Sequence, residues 1–379
     1  MTDVKSGPSP RQAAVSRVAA GASIEDTAQH YNIPADRLRR WVGTEESAGT
    51  AAPRTRRDKQ ATILDLAEHS GLSKSVVSRA LRGQYGVSAE AQARVKAAVE
   101  ELGYVSNAAA QNLSAYRTNT IGVLVRDAAA PFYGEMQSAL QKRGSSRGQR
   151  VFITSGALDN RDEQRALEDL IALRVDGLIV CSGRLPLGEV KRFSTRVPVV
   201  VAGRPDVDPA VDSVFGDEDE GARQLADHLL DEGHRRIAIF EPPAVVSPIL
   251  HRRTEIMRAR LRESGAEALI VQTATPGDAR EAVARLPRET SAVMCPNDRY
   301  AAAALLELRS ATRRLAVTGF DGVGGLGSEL IDLTTWRQPI TEIGASAVER
   351  LLHLIEHRDA AVDHLAIPGE LHVGSTSLG

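Results

Sequence analysis

The chain has 379 residues, 42% of them apolar, with 47 Lys and Arg against 49 Asp and Glu. That length predicts two or more domains with real cores, and no apolar run approaches the ~20 residues that cross a bilayer. The start, MTDVKSGPSPRQ, shows no secretory signal, so a cytoplasmic protein is expected in which Cys181 and Cys295 are buried thiols.

In chain order, residues 1–42 read as helical and residues 43–59, GTEESAGTAAPRTRRDK, as a polar linker. Residues 60–118 are helical again. The net charge of −2 hides an asymmetry: residues 1–118 hold 16 basic and 12 acidic side chains (+4), the remainder 31 and 37 (−6). A basic head on an acidic body suits a head that meets phosphate backbones.

The stretch TILDLAEHSGLSKSVVSRAL, residues 62–81, predicts two short helices with a sharp turn between them. Thr62 followed by Asp65 is a capping-box start, and Ile63, Leu66 and Ala67 form the buried stripe. Gly71 permits the positive-φ turn. Ser73 caps the second helix, which turns Val76, Val77 and Ala80 inward. Lys74, Ser75, Ser78 and Arg79 are left outside, a short polar and basic face that fits a major groove. A third helix runs from Ser88, with Val95, Ala98, Val99 and Leu102 in register, to Gly103. An ordinary structural helix pair is the rival reading.

Upstream, IEDTAQHYNIPADRLRRWV (24–42) aligns without gaps to ILDLAEHSGLSKSVVSRAL (63–81) at an offset of 39, with five identities in nineteen positions. This segment resembles the small helix-turn-helix of transposase-type DNA binders, ending in Trp41. Arg37, Arg39 and Arg40 lie on or beside its reading helix and are accessory DNA-binding candidates. An inert or protein-binding appendage is the alternative.

From Thr120 onward, short apolar runs alternate with amphipathic segments: IGVLV (121–125), VFITSG (151–156), DGLIVCSG (176–183), VPVVVAG (197–203), IAIFEP (237–242), ALIVQTA (268–274), AVMCPN (292–297) and LAVTGFD (315–321). Continuous apolar strands joined by helices predict an α/β fold with parallel sheets covered on both faces. Periodicity alone leaves one barrel or two open sheets.

The block from Thr62 to Val125 resembles the head, hinge and first strand of the lactose repressor (LacI/GalR) family of transcription regulators. Asp65, Ala67, Gly71, Ser73, Val77, Ser78 and Arg79 match its D-x-A-x-x-x-G-x-S-x-x-x-V-S-R pattern. Val87-Ser88, Gly103-Tyr104 and Asn107/Ala110/Leu113 match its later signatures, and the likeness runs from about residue 60 to the carboxyl end.

The resemblance implies a division into 1–42 (accessory helix-turn-helix), 43–59 (linker), 60–104 (DNA-binding head), 105–118 (hinge helix) and 119–379 (sensor core). The core would be like periplasmic binding proteins, with subdomain 1 at 119–216 and 313–336 and subdomain 2 at 217–312 and 337–379. Ser73, Lys74, Ser75, Ser78 and Arg79 would contact operator DNA in the major groove. Asn107, Ala110 and Leu113 would form the hinge in the minor groove, with Leu113 wedged between base steps. Ser106 departs from the proline frequent at that position.

Effector would lie in the inter-subdomain cleft, against Phe132, Arg253 and Asp298. Gly203 stands where an aspartate is common, and Arg204 would lean in instead. Ile249, Ile256 and Gly374 are further departures, pointing to a less sugar-like or an anionic ligand. The implied partners are a near-palindromic double-stranded operator, a small-molecule effector (sugar-like or an anionic metabolite) and a second copy of the chain, in a homodimer or a tetramer, with no membrane and no cofactor.

The alternative is a small-molecule-binding protein without a DNA role. An enzyme is not expected, because there is no zinc spacing, Walker loop, G-x-S-x-G or G-x-G-x-x-G after the first strand. GVGGLG (322–327) lacks a following G-K-[ST], and His234 and His251 are isolated.

Overall fold

A computed structural model describes residues 10–39, 41–42, 61–81, 85–104, 117–156, 160–325 and 331–378. The linker 43–59, Arg40 and the hinge residues Asn107, Ala110 and Leu113 lie outside the described residues. The chain divides into two compact units, Met1–Ala108 and Ala109–Gly379.

The first unit is all helical: α1 (Pro10–Ala19), α2 (Ile24–His30), α3 (35–39 and 41–42), α4 (Ile63–Ser70), α5 (Lys74–Leu81) and α6 (Ala89–Leu102). It has two small cores. Ala14, Val15, Ala28 and Leu38 make the first, and Leu66, Val77, Val95 and Ala98 the second.

In the second unit the elements are β1 (Thr120–Val125), α7 (Pro131–Ser146), β2 (Arg150–Ser155), α8 (Asn160–Ala172), β3 (Gly177–Cys181), α9 (Leu187–Ser194), β4 (Val199–Ala202) and β5 (Asp212–Gly216). They continue with α10 (Glu218–Asp231), β6 (Arg236–Glu241), α11 (Pro248–Glu263), β7 (Glu267–Gln272), α12 (Pro276–Arg285), β8 (Ala292–Met294), α13 (Asp298–Leu308) and β9 (Ala316–Asp321). The chain ends with β10 (Thr334–Arg337), α14 (Ile340–Glu356), β11 (His364–Ile367) and β12 (Glu370–His372).

Two open six-stranded sheets result, in the orders β11-β5-β4-β3-β1-β2 and β12-β10-β9-β8-β6-β7, so the barrel is excluded. All pairings are parallel except β10 with β12. Alternate residues of one strand feed opposite faces. In the first sheet Ile121, Val123, Ile179 and Val200 pack with Met136 of α7 and Leu351 of α14. Leu124, Leu178, Val180 and Val199 face the other way, onto Leu167 of α8 and Phe193 of α9. The second sheet repeats the arrangement: Ile237, Ile239 and Phe320 meet Leu225 and Met257, while Ala238, Phe240 and Val317 meet Val283 and Ala301.

All eight expected strands are present. The four that carried no strong apolar run in the sequence are β5, β10, β11 and β12.

The exchange of carboxyl-terminal segments differs from expectation. Residues 316–337 do not join subdomain 1, because β9 pairs with β8 and β10 with β9, inside the second sheet. Conversely, α14 packs its Ile343, Ala347 and Leu351 on the first sheet, and β11 pairs with β5. The chain therefore crosses between subdomains at 216–218, as the likeness implied, and then at 337–340 and 367–370 rather than at 312/313 and 336/337.

Candidate DNA-reading helices and inter-subdomain cleft

The capping box is formed as read: Thr62 N–H donates to Asp65 Oδ2 at 2.7 Å and Asp65 N–H donates to Thr62 Oγ1 at 3.3 Å. Gly71 ends α4 at φ 64°, ψ 27°, the left-handed region where a side chain is strained. A Cβ there would also meet an Arg94 guanidinium nitrogen at 2.7 Å. That same guanidinium donates to the Ser70 carbonyl and ties α6 to the turn.

Ser73 Oγ accepts from Val76 N–H at 3.4 Å at the start of α5. Val77 is fully buried and Ala80 partly so, whereas Val76 is half-buried outside that core cluster. Ser73, Lys74 and Ser75 are exposed, and Ser78 and Arg79 are half-buried on the same helix. Arg79 Nε donates to the Ser75 carbonyl at 3.4 Å. The helix thus presents donors and a cation at its own positive end, where phosphate oxygens are favoured.

The upstream pair repeats this construction position by position. Ser23 caps α2 as Thr62 caps α4, and its Oγ accepts from Asp26 N–H at 3.0 Å. Asn32 turns at φ 51°, at the place of Gly71. Leu38 is buried as Val77 is, and Thr27 as Leu66 is. Its outer face is different. Arg39 donates to Glu25 at 2.6 Å and to Asp36 at 3.0 Å, while Arg37 is exposed.

In the second unit a cavity of about 220 Å³ opens between the sheets. Its wall comes from the residues that follow strands and begin helices, as in other open α/β sheets. Phe132 lines it with Pro131, Ile249 and Val323. Gly203 also lines it, at φ 72°; a Cβ there would meet Phe132 at 3.1 Å and Met136 at 3.3 Å, so an aspartate at this position would crowd the aromatic wall.

At the polar end lies Arg253, only 2% exposed. It donates to Glu218 Oε2 from Nε at 3.1 Å and Nη2 at 2.8 Å, and from Nη1 to Asp321 Oδ1 at 3.2 Å and the Pro296 carbonyl at 2.6 Å. Its guanidinium carbon sits 3.6 Å from the Phe320 ring centroid. Burial pushes the Glu218 and Asp321 carboxyls up, opposed by Arg253. Asp321 holds φ 112°, a conformation costly for a residue with a Cβ and typical of functional sites.

Two expected cleft residues lie elsewhere. Arg204 is buried, clamped to Asp206 and donating to the Ser182 and Leu185 carbonyls, so its donors are spent inside subdomain 1. Asp298 stands behind the cavity wall. Its Oδ1 accepts from Thr335 Oγ1 at 2.6 Å and its Oδ2 from Val323 N–H at 3.0 Å, and burial together with Asp321 raises its carboxyl to about 7. The acids that do line the cavity at this end, Glu218 and Asp321, were not picked out in the sequence, nor were Arg126 and Gln338. Each stands at or just past a strand end, which is the signal that could have found them.

Comparison with known proteins places these features in one family. The family described as "Periplasmic binding proteins and sugar binding domain of LacI family" matches residues 118–374, "Bacterial regulatory proteins, lacI family" matches 62–107, and "Helix-turn-helix domain" matches 11–61. The chain is 30% identical over 337 residues to the maltose regulon regulatory protein MalI of Escherichia coli K12, covering 83% of this chain and 98% of that one. It is 29% identical over 308 residues to the ribose operon repressor of the same organism, covering 78% and 93%.

Among solved structures, the lac repressor dimer bound to operator and the anti-inducer ONPF shares the fold, with TM-score 0.74, 24% identity and coverage of 85% and 100%. The transcriptional regulator CelR–cellobiose complex matches at TM-score 0.60 and 27% identity, covering 84% and 100%. Head and core both match: the chain belongs to the LacI family of bacterial regulatory proteins.

Proposed function

We propose that the protein is a ligand-responsive transcription repressor that acts in the cytoplasm as a homodimer and catalyses no reaction. Each subunit reads one half of a near-palindromic operator through α5, with Lys74, Ser75 and Arg79 toward the bases and phosphates. Residues 105–118, with Asn107, Ala110 and Leu113, act as a hinge that kinks the operator centre. The upstream helix-turn-helix, through Arg37, Arg39 and Arg40, lengthens the footprint.

Effector in the cleft changes the angle between the subdomains, and with it the separation of the two hinges. Phe132 supplies the apolar wall. Arg253 shapes the polar end by holding Glu218 and Asp321 in place, and those acids accept hydroxyls. The cavity falls below the ~300–1,000 Å³ of drug-sized pockets, which suits a metabolite of monosaccharide size.

The observation that carries this reading is the α5 surface: a cation and hydroxyls exposed at a helix start, over a core that fixes their orientation. Selection of oligonucleotides from a random pool by the full chain tests it. A near-palindromic site is expected, with affinity falling steeply as salt rises. Absence of salt-dependent binding contradicts it. On the ligand side, Asp321→Asn should remove the response of operator binding to effector while leaving affinity for DNA in place.

A further inference from the structure

Arg126 lines the cleft, Arg184 stands beside it, and among the described residues neither has an acid to pair with. Arg126, just past β1, donates from Nη1 to Ser247 Oγ at 3.1 Å and from Nη2 to the Val246 carbonyl at 2.8 Å. Arg184, in the loop after β3, donates from Nη2 to the same carbonyl at 3.0 Å. Both come from subdomain 1, and both reach across to the segment that starts α11 in subdomain 2. Sharing one carbonyl oxygen brings two like charges together, which is costly in a partly buried setting. Neither guanidinium has a carboxylate within ion-pair distance among the described residues, unlike Arg253 and Arg299, which have Glu218 and Asp127.

One acid that both feel is Glu163. It is fully buried, its Oε1 accepts from Ser182 Oγ at 2.7 Å, and burial favours its neutral form. The Nε of Arg126, the Nε of Arg184 and the Oε2 of Glu163 are all buried without a hydrogen-bond partner. Buried polar groups left without a partner are costly. The amino end of the 16-residue helix α11 adds its positive pole at the same place. Across the cavity, Gln338 is 8% exposed and its Oε1 is likewise unpartnered, beside Asp321.

We propose that Arg126 and Arg184 form an anion subsite, and that the effector is a small polyhydroxylated anion. Its carboxylate or phosphate lies against Arg126 at the cavity wall, with the charge of Arg184 beside it, and its hydroxyls reach Gln338, Asp321 and Glu218. The proposal rests on the cleft being the effector site. It goes further by naming the charge of the ligand and the two residues that read it. Because the same guanidiniums hold the Val246 carbonyl of the other subdomain, an anion there competes with contacts that set the closure of the cleft.

The test uses the full chain and calorimetric titration with matched probes: glucose, glucuronate and glucose 6-phosphate, then ribose, ribonate and ribose 5-phosphate. Inorganic phosphate serves as the bare anion, in a thermal-shift arm at fixed ionic strength. At least one acid or phosphate should bind more tightly than its neutral parent, the members showing whether carboxylate or phosphate is preferred. Phosphate should raise the melting temperature.

Arg126→Gln with Arg184→Gln should weaken the anionic probe about 10- to 100-fold, the range for hydrogen bonds to charged groups. The same double variant should erase the phosphate shift. Arg126→Lys with Arg184→Lys, which keeps charge but removes the planar guanidinium fork, should fall between. If neutral sugars bind as tightly as their acids, if no anionic probe binds, or if the Gln variants bind as wild type, the anion subsite is overturned. Should a neutral sugar still respond to Asp321→Asn, the cleft remains the effector site. If Asp321→Asn leaves every bound probe unaffected, the cleft reading itself has failed.

Discussion

Two helix-turn-helix units 39 residues apart share one inner plan and differ on the outside. Cap, turn and buried positions coincide: Ser23 with Thr62, Asn32 with Gly71, Leu38 with Val77. The outer faces diverge, since Lys74 and Ser75 are open to solvent whereas Arg39 is occupied by Glu25 and Asp36. A shared core therefore fixes shape, and the proposed difference in how strongly each unit engages a duplex rests on the few residues of the outer helix. On the proposed reading, the downstream unit reads bases. The upstream unit offers mainly Arg37 and, through exposed ion pairs worth only about 0–1 kcal/mol, an Arg39 that phosphate can recruit.

The largest expected effect comes from hollowing each core in turn. Leu66→Ala and Leu38→Ala should each cost their own unit about 2–5 kcal/mol. Only Leu66→Ala should abolish operator binding, as gel-shift titration would reveal; equal losses of affinity from both would erase the distinction drawn between the units. Next in size, Lys74→Ala should cost about 1–3 kcal/mol and relax preference at one or two base pairs, read from selected sequences.

The turn separates the units on a smaller scale. Gly71→Ala meets both positive φ and the Arg94 guanidinium and should destabilise by about 1 kcal/mol or more, whereas Asn32→Gly should change the melting temperature little. The smallest effect is expected for Arg37→Ala, which should weaken binding alike on all sequences and lower the salt slope by about one.

Much of the first unit was legible because its signals are local. The Thr62–Asp65 box, Gly71, Ser88 and Gly103 each act within four residues of themselves, and each does what its chemistry dictates. The strands were legible from apolar runs where both faces are covered, and not where β5, β11 and β12 sit near edges or in short pieces. Which sheet receives β9 and β10 has no local signal. It depends on crossings of one or two residues, and every one of these reads in sequence as a plain loop.

The cleft was legible by region and less so by residue. Phe132 and Arg253 line it, but Asp298 and Arg204 are consumed by internal partners. The wall acid is instead Asp321, which ends the apolar run LAVTGFD and was not picked out in the sequence. The buried acid behind the wall has a consequence for stability. Asp298 is raised from its ordinary range to about 7, so the folded state holds a proton that the unfolded chain releases. Its contribution is therefore full below about pH 4 and is lost as pH rises toward 7. Asp298→Asn should flatten the melting temperature across that window, and an unchanged slope would place the titration on another group.

The most direct measurement is a hydroxyl-radical footprint of the full chain on its selected operator, comparing wild type with Val77→Asp and Leu38→Asp. Loss of all protection with Val77→Asp, and loss of the flanks alone with Leu38→Asp, is the predicted result. Protection of the symmetric centre that survives Val77→Asp would contradict it, because the duplex would then be read by something other than the helix Lys74–Leu81.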